Sequence, residues 1–185
     1  METDETVYRR YLDGDEGGMR ELLERYGDPL TLYINGYVKN IPDAEDLMIE
    51  AFAYLTTKRP MIRDGGFKAY LFKTARSYSL RFLGQQRKHT VFSLDELEYE
   101  PESGELVETI VQTNQRSRIV HLCMADLQPD YREALFLVYF EGMSYREVAG
   151  VMEKSEKQID KLLQSGKKHL RAALEKEGLA YADNG

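Results

Sequence analysis

Residues 155–170 read SEKQIDKLLQSGKKHL, and the fold turns on whether this is a helix and what its two sides meet. Ser155 followed three residues later by Gln158 is a capping-box start, in which a hydroxyl and a carboxamide satisfy each other's backbone N–H groups. Beyond it Ile159, Leu162, Leu163, Gly166, Leu170 and Leu174 recur at three- and four-residue steps, one face at about 100° per residue. Lys157, Lys161, Gln164, Lys168 and Arg171 form a second stripe opposite the first. The helix has a core side and a basic and amide row about 20 Å long. Phosphates attract such a row, and Lys, Arg and Gln also reach base edges. Taken alone, the same row is a solvated helix face, so the neighbouring segments decide.

Just upstream, Gly142-Met143-Ser144 leads into a second capping box, Ser144 to Glu147. It opens a short helix, SYREVAGVM, with Val148, Ala149, Val151 and Met152 facing inward and Ala149 small enough for a close helix crossing. Glu153-Lys154 turns the corner. Two short helices joined by a tight turn, the second amphipathic with a basic outer face, describe a helix-turn-helix. In that motif the second helix enters the major groove and its N-terminal half reads bases. A plain bundle end uses the same elements; a second cap so soon after a short helix favours DNA. Further upstream, a helix from about Gln115 ends before Pro129, and Asp130–Glu141 form another, closed by Gly142.

The N-terminal half is also helical in pattern. Helices are expected over Thr6–Leu12 and Glu16–Tyr26, then from an Asp28 cap with Pro29 at the first position to about Lys39. Pro42 opens DAEDLMIEAFAYL, which must end before Pro60. After the loop KRPMIRDGG, a fifth helix runs from near Phe67 to about Gln85, with Phe67, Leu71, Ala75, Tyr78 and Phe82 on its core side. TVFSL, residues 90–94, is the best strand candidate and a weak one. The expectation is an all-α protein of two small helical domains, residues 1–90 and 115–185, joined by an acidic linker over 91–114.

The formal charge of −7 argues against nucleic acid only until it is located. Residues 1–90 carry fourteen acids and fourteen bases, and residues 114–185 eleven of each. Residues 91–113 carry seven acids and no base, so the excess lies in one segment. The field at a site follows local clustering, not the net value. The linker reads as a flexible spacer or, more sharply, as a polyanion that mimics nucleic acid in a basic channel. No run of eighteen apolar residues marks a membrane span, and METDETVYRR lacks the apolar stretch of a signal peptide. The single cysteine, Cys123, among Val120, Leu122 and Met124, reads as packing in a reducing cytoplasm.

From 58 to 88, nine bases face one acid, Asp64. Lys58, Arg59, Arg63, Lys68, Lys73 and Arg76 are interleaved with Phe67, Tyr70, Phe72, Tyr78 and Phe82. Bases beside rings suit single-stranded DNA, where charge holds phosphates and rings stack nucleobases, although Phe67, Tyr78 and Phe82 keep core spacing. Lys73 and Arg76 lie opposite that core and are the better contacts. In DAEDLMIEAF, Asp43, Asp46 and Glu50 share one helix face, which suits a basic protein partner or water; without histidines it is not a metal site. His89, His121 and His169 are scattered, and no phosphate loop, dinucleotide fingerprint or serine elbow is present. No catalytic set and no cofactor is expected.

The order of these parts resembles the extracytoplasmic-function group of bacterial sigma-70-type sigma factors, over nearly the whole chain. AEDLMIEAF (44–52) is similar to the family's AEDLVQEVF, the stretch 67–77 to FxAWLYxIARN, and EGMSYREVAGVMEKS (141–155) to EGLSYxEIAxxLGIS. The resemblance implies an alternative sigma factor, not an enzyme, with a region 2-like first domain and a region 4-like second. Its partners would be core RNA polymerase, through the clamp of the largest subunit and the flap, and promoter DNA; an anti-sigma factor is a common further partner. Asp43, Asp46, Ile49 and Glu50 would face the clamp. The Lys58–Gly66 loop and the following helix, including Lys68, Lys73, Arg76 and Ser77, would capture the opened −10 element. The helix after Ser155 would read the −35 element, with Lys157, Gln158, Asp160, Lys161, Gln164 and Ser165 toward bases and Lys167, Lys168 and Arg171 toward phosphates. The linker would pass through the polymerase's RNA path. Five departures stand out: Ile49 for glutamine, Tyr70 for tryptophan, Ser77 for asparagine, and Asp160 and Ser165 where relatives often have arginine. A stand-alone helix-turn-helix regulator leaves the first domain unexplained. A degenerate helical interaction module predicts that Lys157, Lys161 and Lys168 are dispensable.

Overall fold

A computed structural model of the chain describes residues 1–92, 120 and 123–178. The chain divides into two compact units, Met1–Glu102 and Ser103–Gly185, each taken here by itself. All elements among the described residues are helical.

The first unit packs four helices: α1 (Asp4–Leu12), α2 (Glu16–Val38), α3 (Ile41–Lys58) and α4 (Phe67–Phe92). Short polar side chains start the first three. Thr3 accepts from the Thr6 N–H, Asp15 from Gly17 and Asn40 from Asp43. The expected break at Asp28 does not occur, and α2 runs straight through Pro29. A proline inside a helix costs about 3 kcal/mol. Leu22, Leu30 and Ile34, on both sides of it, are fully buried, and each such side chain contributes about 1.5–3 kcal/mol, so packing outweighs the local penalty. The strand expected at 90–94 is corrected as far as the description reaches: α4 continues through Phe92, seven residues past the expected end at Gln85, and residues 93 and 94 lie outside the described residues.

α2 is the hub, packed on α1, α3 and α4. Aromatic rings tie the layers together. Phe67 lies 5.4 Å from Tyr8 and 6.1 Å from Tyr26, and Phe72 lies 5.1 Å from Tyr33. The core side of α4 is Phe67, Leu71, Phe72 and Ala75, all at 0 % exposure, whereas Tyr78 and Phe82 are half-buried. Phe72 is therefore core and not a stacking surface.

The second unit contains α5 (Pro129–Leu135), a π-helical turn (Phe136–Phe140), α6 (Tyr145–Met152) and α7 (Glu156–Lys176). The helix expected over Asp130–Glu141 thus loses its α geometry in the last turn. There the Glu141 N–H donates to Phe136 five residues back, at 3.2 Å, and Gly142 at φ 65° redirects the chain. Leu135, Leu137, Val148, Val151, Met152, Ile159 and Leu163 form the core. Ala149 is only half-buried; the tight crossing is at Gly166, where an added Cβ would sit 3.1 Å from Leu135 Cδ1 and 3.3 Å from Tyr131 Cβ. Cys123 is buried, and burial raises its thiol above the usual value. The acidic linker lies outside the described residues.

Candidate nucleic-acid interface

Both capping boxes form. The Ser144 N–H donates to Glu147 Oε2 at 2.7 Å, and the Glu147 N–H to Ser144 Oγ at 3.3 Å. The Ser155 N–H donates to Gln158 Oε1 at 2.8 Å, and the Gln158 N–H to Ser155 Oγ at 3.2 Å. Between them the chain reverses at Glu153, which takes the left-handed conformation at φ 56°. Lys154 fixes the corner: its backbone N–H donates to the Ala149 carbonyl at 3.1 Å, and Nζ pairs with Asp130 at 3.2 Å. The angle at which α7 leaves α6 is therefore set at both ends of the turn and against α5.

Glu153 stands where the sigma pattern quoted above has glycine. A side chain in the left-handed region costs about 1–2 kcal/mol, part of which glycine returns through the entropy of the unfolded chain. Glu153→Gly is expected to stabilise the second unit by about 0.5–1 kcal/mol, read as a higher urea midpoint. An unchanged or lower midpoint contradicts a strained corner.

On α7, Ile159, Leu163, Gly166 and Leu174 are buried, while Leu162 and Leu170 are half-exposed at the margin. Lys157, Lys161, Gln164, Lys168 and Arg171 are exposed along the opposite side; Asp160 and Ser165 are half-exposed on its flanks. Two expected contacts are partly engaged within the unit. The Gln158 side-chain oxygen closes the cap. Lys167 lies 5.2 Å from the centroid of the Tyr139 ring, a cation–π contact that draws it toward the π-helical turn and away from the main row. A third pairing was not foreseen: Gln164 Nε2 donates to Asp160 Oδ2 at 2.9 Å, one helical turn apart.

In the first unit the loop between α3 and α4 is pinned by α1. Tyr8 Oη donates to the Pro60 carbonyl at 3.1 Å, and Tyr11 Oη to that of Thr56 at 3.4 Å. Arg9 pairs with Asp64, the Arg59 guanidinium lies 5.2 Å from the Tyr11 ring centroid, and Glu5 accepts from the Phe67 N–H at 3.0 Å. None of these α1 residues stood out in the sequence, because partners more than forty residues away leave no local signal. Burial pushes Tyr8 and Tyr70 up to about 12, with the Tyr54 hydrogen bond adding to it at Tyr70, so both hydroxyls stay neutral. Lys58, Arg63, Lys73 and Ser77 are exposed and Arg76 is half-exposed. Lys68 is half-buried, 5.7 Å from the Tyr26 ring. Met61, at 98 % exposure, projects from the loop into solvent and was not anticipated.

The acidic side of α3 also reaches the surface. Asp46, Ile49 and Glu50 are exposed, Asp43 half so. Ile49 at 58 % exposure is an apolar residue with acids on either side of it along the helix. Glu50 approaches Arg81 of α4 at 4.0 Å, a loose pair of the kind that contributes little at a surface.

A doubly capped helix-turn-helix with a polar and basic outer row on its second helix defines the class: a helical protein that carries a DNA-reading unit. Comparison with known proteins makes the class specific. Residues 117–170 match the family model for sigma-70, region 4. The chain is 26% identical over 162 residues to the ECF RNA polymerase sigma-E factor of Escherichia coli K12, covering 82% of this chain and 83% of that protein. It is 24% identical over 156 residues to the ECF RNA polymerase sigma factor SigM of Bacillus subtilis 168, covering 82% and 92%. Among solved structures the fold is similar to CnrH in complex with the cytosolic domain of CnrY, with TM-score 0.67, 20% identity and 94% and 97% of the two chains covered. It is also similar to the sigma factor RpoE of Bartonella quintana in complex with the anti-sigma factor NepR, with TM-score 0.62, 19% identity and 84% and 96% covered. Over most of its length the chain is thus similar to ECF sigma factors, and its residues 117–170 match sigma-70 region 4.

Proposed function

We propose that this alternative sigma factor binds core RNA polymerase and directs it to promoters by reading a −35 element with α7 and an opened −10 element with the first unit. The observation that carries the reading is the outer row of α7, Lys157, Lys161, Gln164, Lys168 and Arg171, exposed on a helix whose entry is fixed by two capping boxes. Phosphate-facing lysines would supply sequence-independent grip, and Lys161 and Gln164 the discrimination. In the first unit, Lys58, Arg59, Arg63, Lys73, Arg76 and Ser77 around the α3–α4 loop would hold the separated strand, with Lys68 at the margin. Unpairing costs a few kcal/mol per flipped base, which binding of the exposed strand offsets.

Asp46, Ile49 and Glu50, with Asp43 at the edge, would form the docking face for the polymerase clamp, and the second unit would meet the flap. Functional domains at 1–90 and 115–185, with 91–114 threading the polymerase's RNA path, complete the assignment. The bonds of RNA synthesis would be made by the polymerase; this chain would contribute specificity and need no cofactor. An anti-sigma factor is a fitting further partner, since both solved relatives named above are bound to one or to a cytosolic partner domain. No described helix is long and apolar enough to cross a membrane, and action on bacterial promoters would place the protein in the cytoplasm.

The test is promoter-specific initiation: the purified chain, bacterial core polymerase and a random promoter pool. Discrete start sites above those of core alone are expected, and their absence overturns the reading. Within it, Lys168→Ala is expected to weaken binding to all sequences about equally. Lys161→Ala and Gln164→Ala are expected to change base preference, at about 1–3 kcal/mol per lost base contact. Equal, sequence-blind effects from all three would contradict this division.

A further inference from the structure

Asp160 is the sole acid between Lys157 and Arg171, on the helix proposed to lie against DNA. A carboxylate there repels phosphate, so its presence calls for a role that offsets the repulsion. The structure offers one. Gln164 Nε2 donates to Asp160 Oδ2 at 2.9 Å. A carboxylate only accepts hydrogen bonds, so Asp160 can face the nitrogen of the amide but not its oxygen. With Gln164 held through the N–H that points away from Oε1, its other N–H and Oε1 stay side by side on an exposed side chain. A neighbouring donor and acceptor of that kind match the N7 acceptor and N6 donor that adenine shows in the major groove.

We infer that Asp160 is a positioning residue that fixes the Gln164 amide in its adenine-pairing orientation, so that the couple selects an A·T pair within the −35 element. The inference rests on the sigma reading above and refines it. Gln164 lies in the third turn of α7 and Asp160 in the second, within reach of the N-terminal half that reads bases in this motif. Without Asp160 the amide is free to turn over, presenting its donor and acceptor in the reversed order or swinging away from the base. Gln164 is exposed and Asp160 only half-buried, so substitutions here leave the core of the unit intact.

The experiment uses holoenzyme assembled from the full chain and core polymerase, with a pool randomised across the −35 region. Wild type is expected to prefer adenine at one position by about tenfold or more. Gln164→Ala should abolish that preference. Asp160→Asn keeps the shape but lets the partner donate as well as accept, and it should reduce the preference to about threefold or less, as should Asp160→Ala. In a Gln164→Ala background neither Asp160 variant should alter base preference further, which marks the coupling. Removing the charge should also strengthen binding to all sequences alike, an effect that orientation does not predict and that is scored separately.

The inference is overturned if Asp160→Asn produces only that uniform change while the adenine preference stays. It is equally overturned if Asp160→Asn removes a cytosine preference at another position, which would make Asp160 a direct reader. Specific initiation with no Gln164-dependent adenine sinks this inference and leaves the sigma reading standing. No specific initiation at all sinks both.

Discussion

Phe72→Ala is expected to destabilise the first unit by about 3–5 kcal/mol, the usual cost of emptying a fully buried phenylalanine site. The ring is at 0 % exposure, 5.1 Å from Tyr33 and 6.4 Å from Tyr26, so its loss opens a cavity where α2 and α4 meet. Urea unfolding of the full chain should show the first unit's transition at a much lower midpoint. Promoter opening should fail at temperatures where wild type is active and recover on cooling. Phe82→Ala, at a half-buried position, should shift the midpoint far less. A normal midpoint for Phe72→Ala, combined with a selective loss of single-strand binding, would return Phe72 to the role of a stacking surface.

Gly18→Ala carries the second-largest expected effect. A Cβ at Gly18 would lie 2.6 Å from the Val7 carbonyl oxygen and 3.0 Å from the Tyr11 nitrogen. Both are backbone atoms of α1 and cannot swing aside, so α1 must lift from α2. Overpacking of this kind costs about 1–3 kcal/mol, and the rigidity of both neighbours puts Gly18 at the upper end. The consequence reaches the proposed −10 site, because Tyr8 and Arg9 of α1 hold the loop through Pro60 and Asp64, and Tyr11 holds the last turn of α3 through Thr56. Trypsin should cut after Arg63 faster in the variant under native conditions, alongside a lower urea midpoint. Wild-type cleavage rates would show that α1 does not restrain the loop.

These two residues mark where sequence reading stops. Phe72 sits one position after Leu71 in an interval rich in bases and rings, and periodicity left it among the candidate stacking rings and outside the core set. The broad core side of α4 accepts both neighbours because α2 covers it widely. Gly18 and Gly166 carry no pattern of their own; their meaning comes from helices that approach from elsewhere in the chain. Pro29 misled for the opposite reason. Its local signal is strong, but the burial of Leu22, Leu30 and Ile34 is stronger.

By contrast, what depends on neighbours within one or two turns was legible. The capping boxes at Ser144 and Ser155, the start of α3 beside Pro42 and the two-sided character of α7 all follow from short-range backbone preferences and a 3.6-residue period. Those local rules were enough to give the all-α class, the helix-turn-helix and, through the order of motifs, the sigma family. Tertiary structure decided what requires two distant segments at once: the continuous α2, the burial of Phe72, and the loop after α3 held by α1. It also decided which side chains of the α7 row are spent within the unit, with Lys167 over Tyr139. The Gln164–Asp160 pair lay between the two cases. Its spacing of four was visible in the sequence, but the direction in which the amide turns depends on where both side chains point once α7 is packed against α5 and α6.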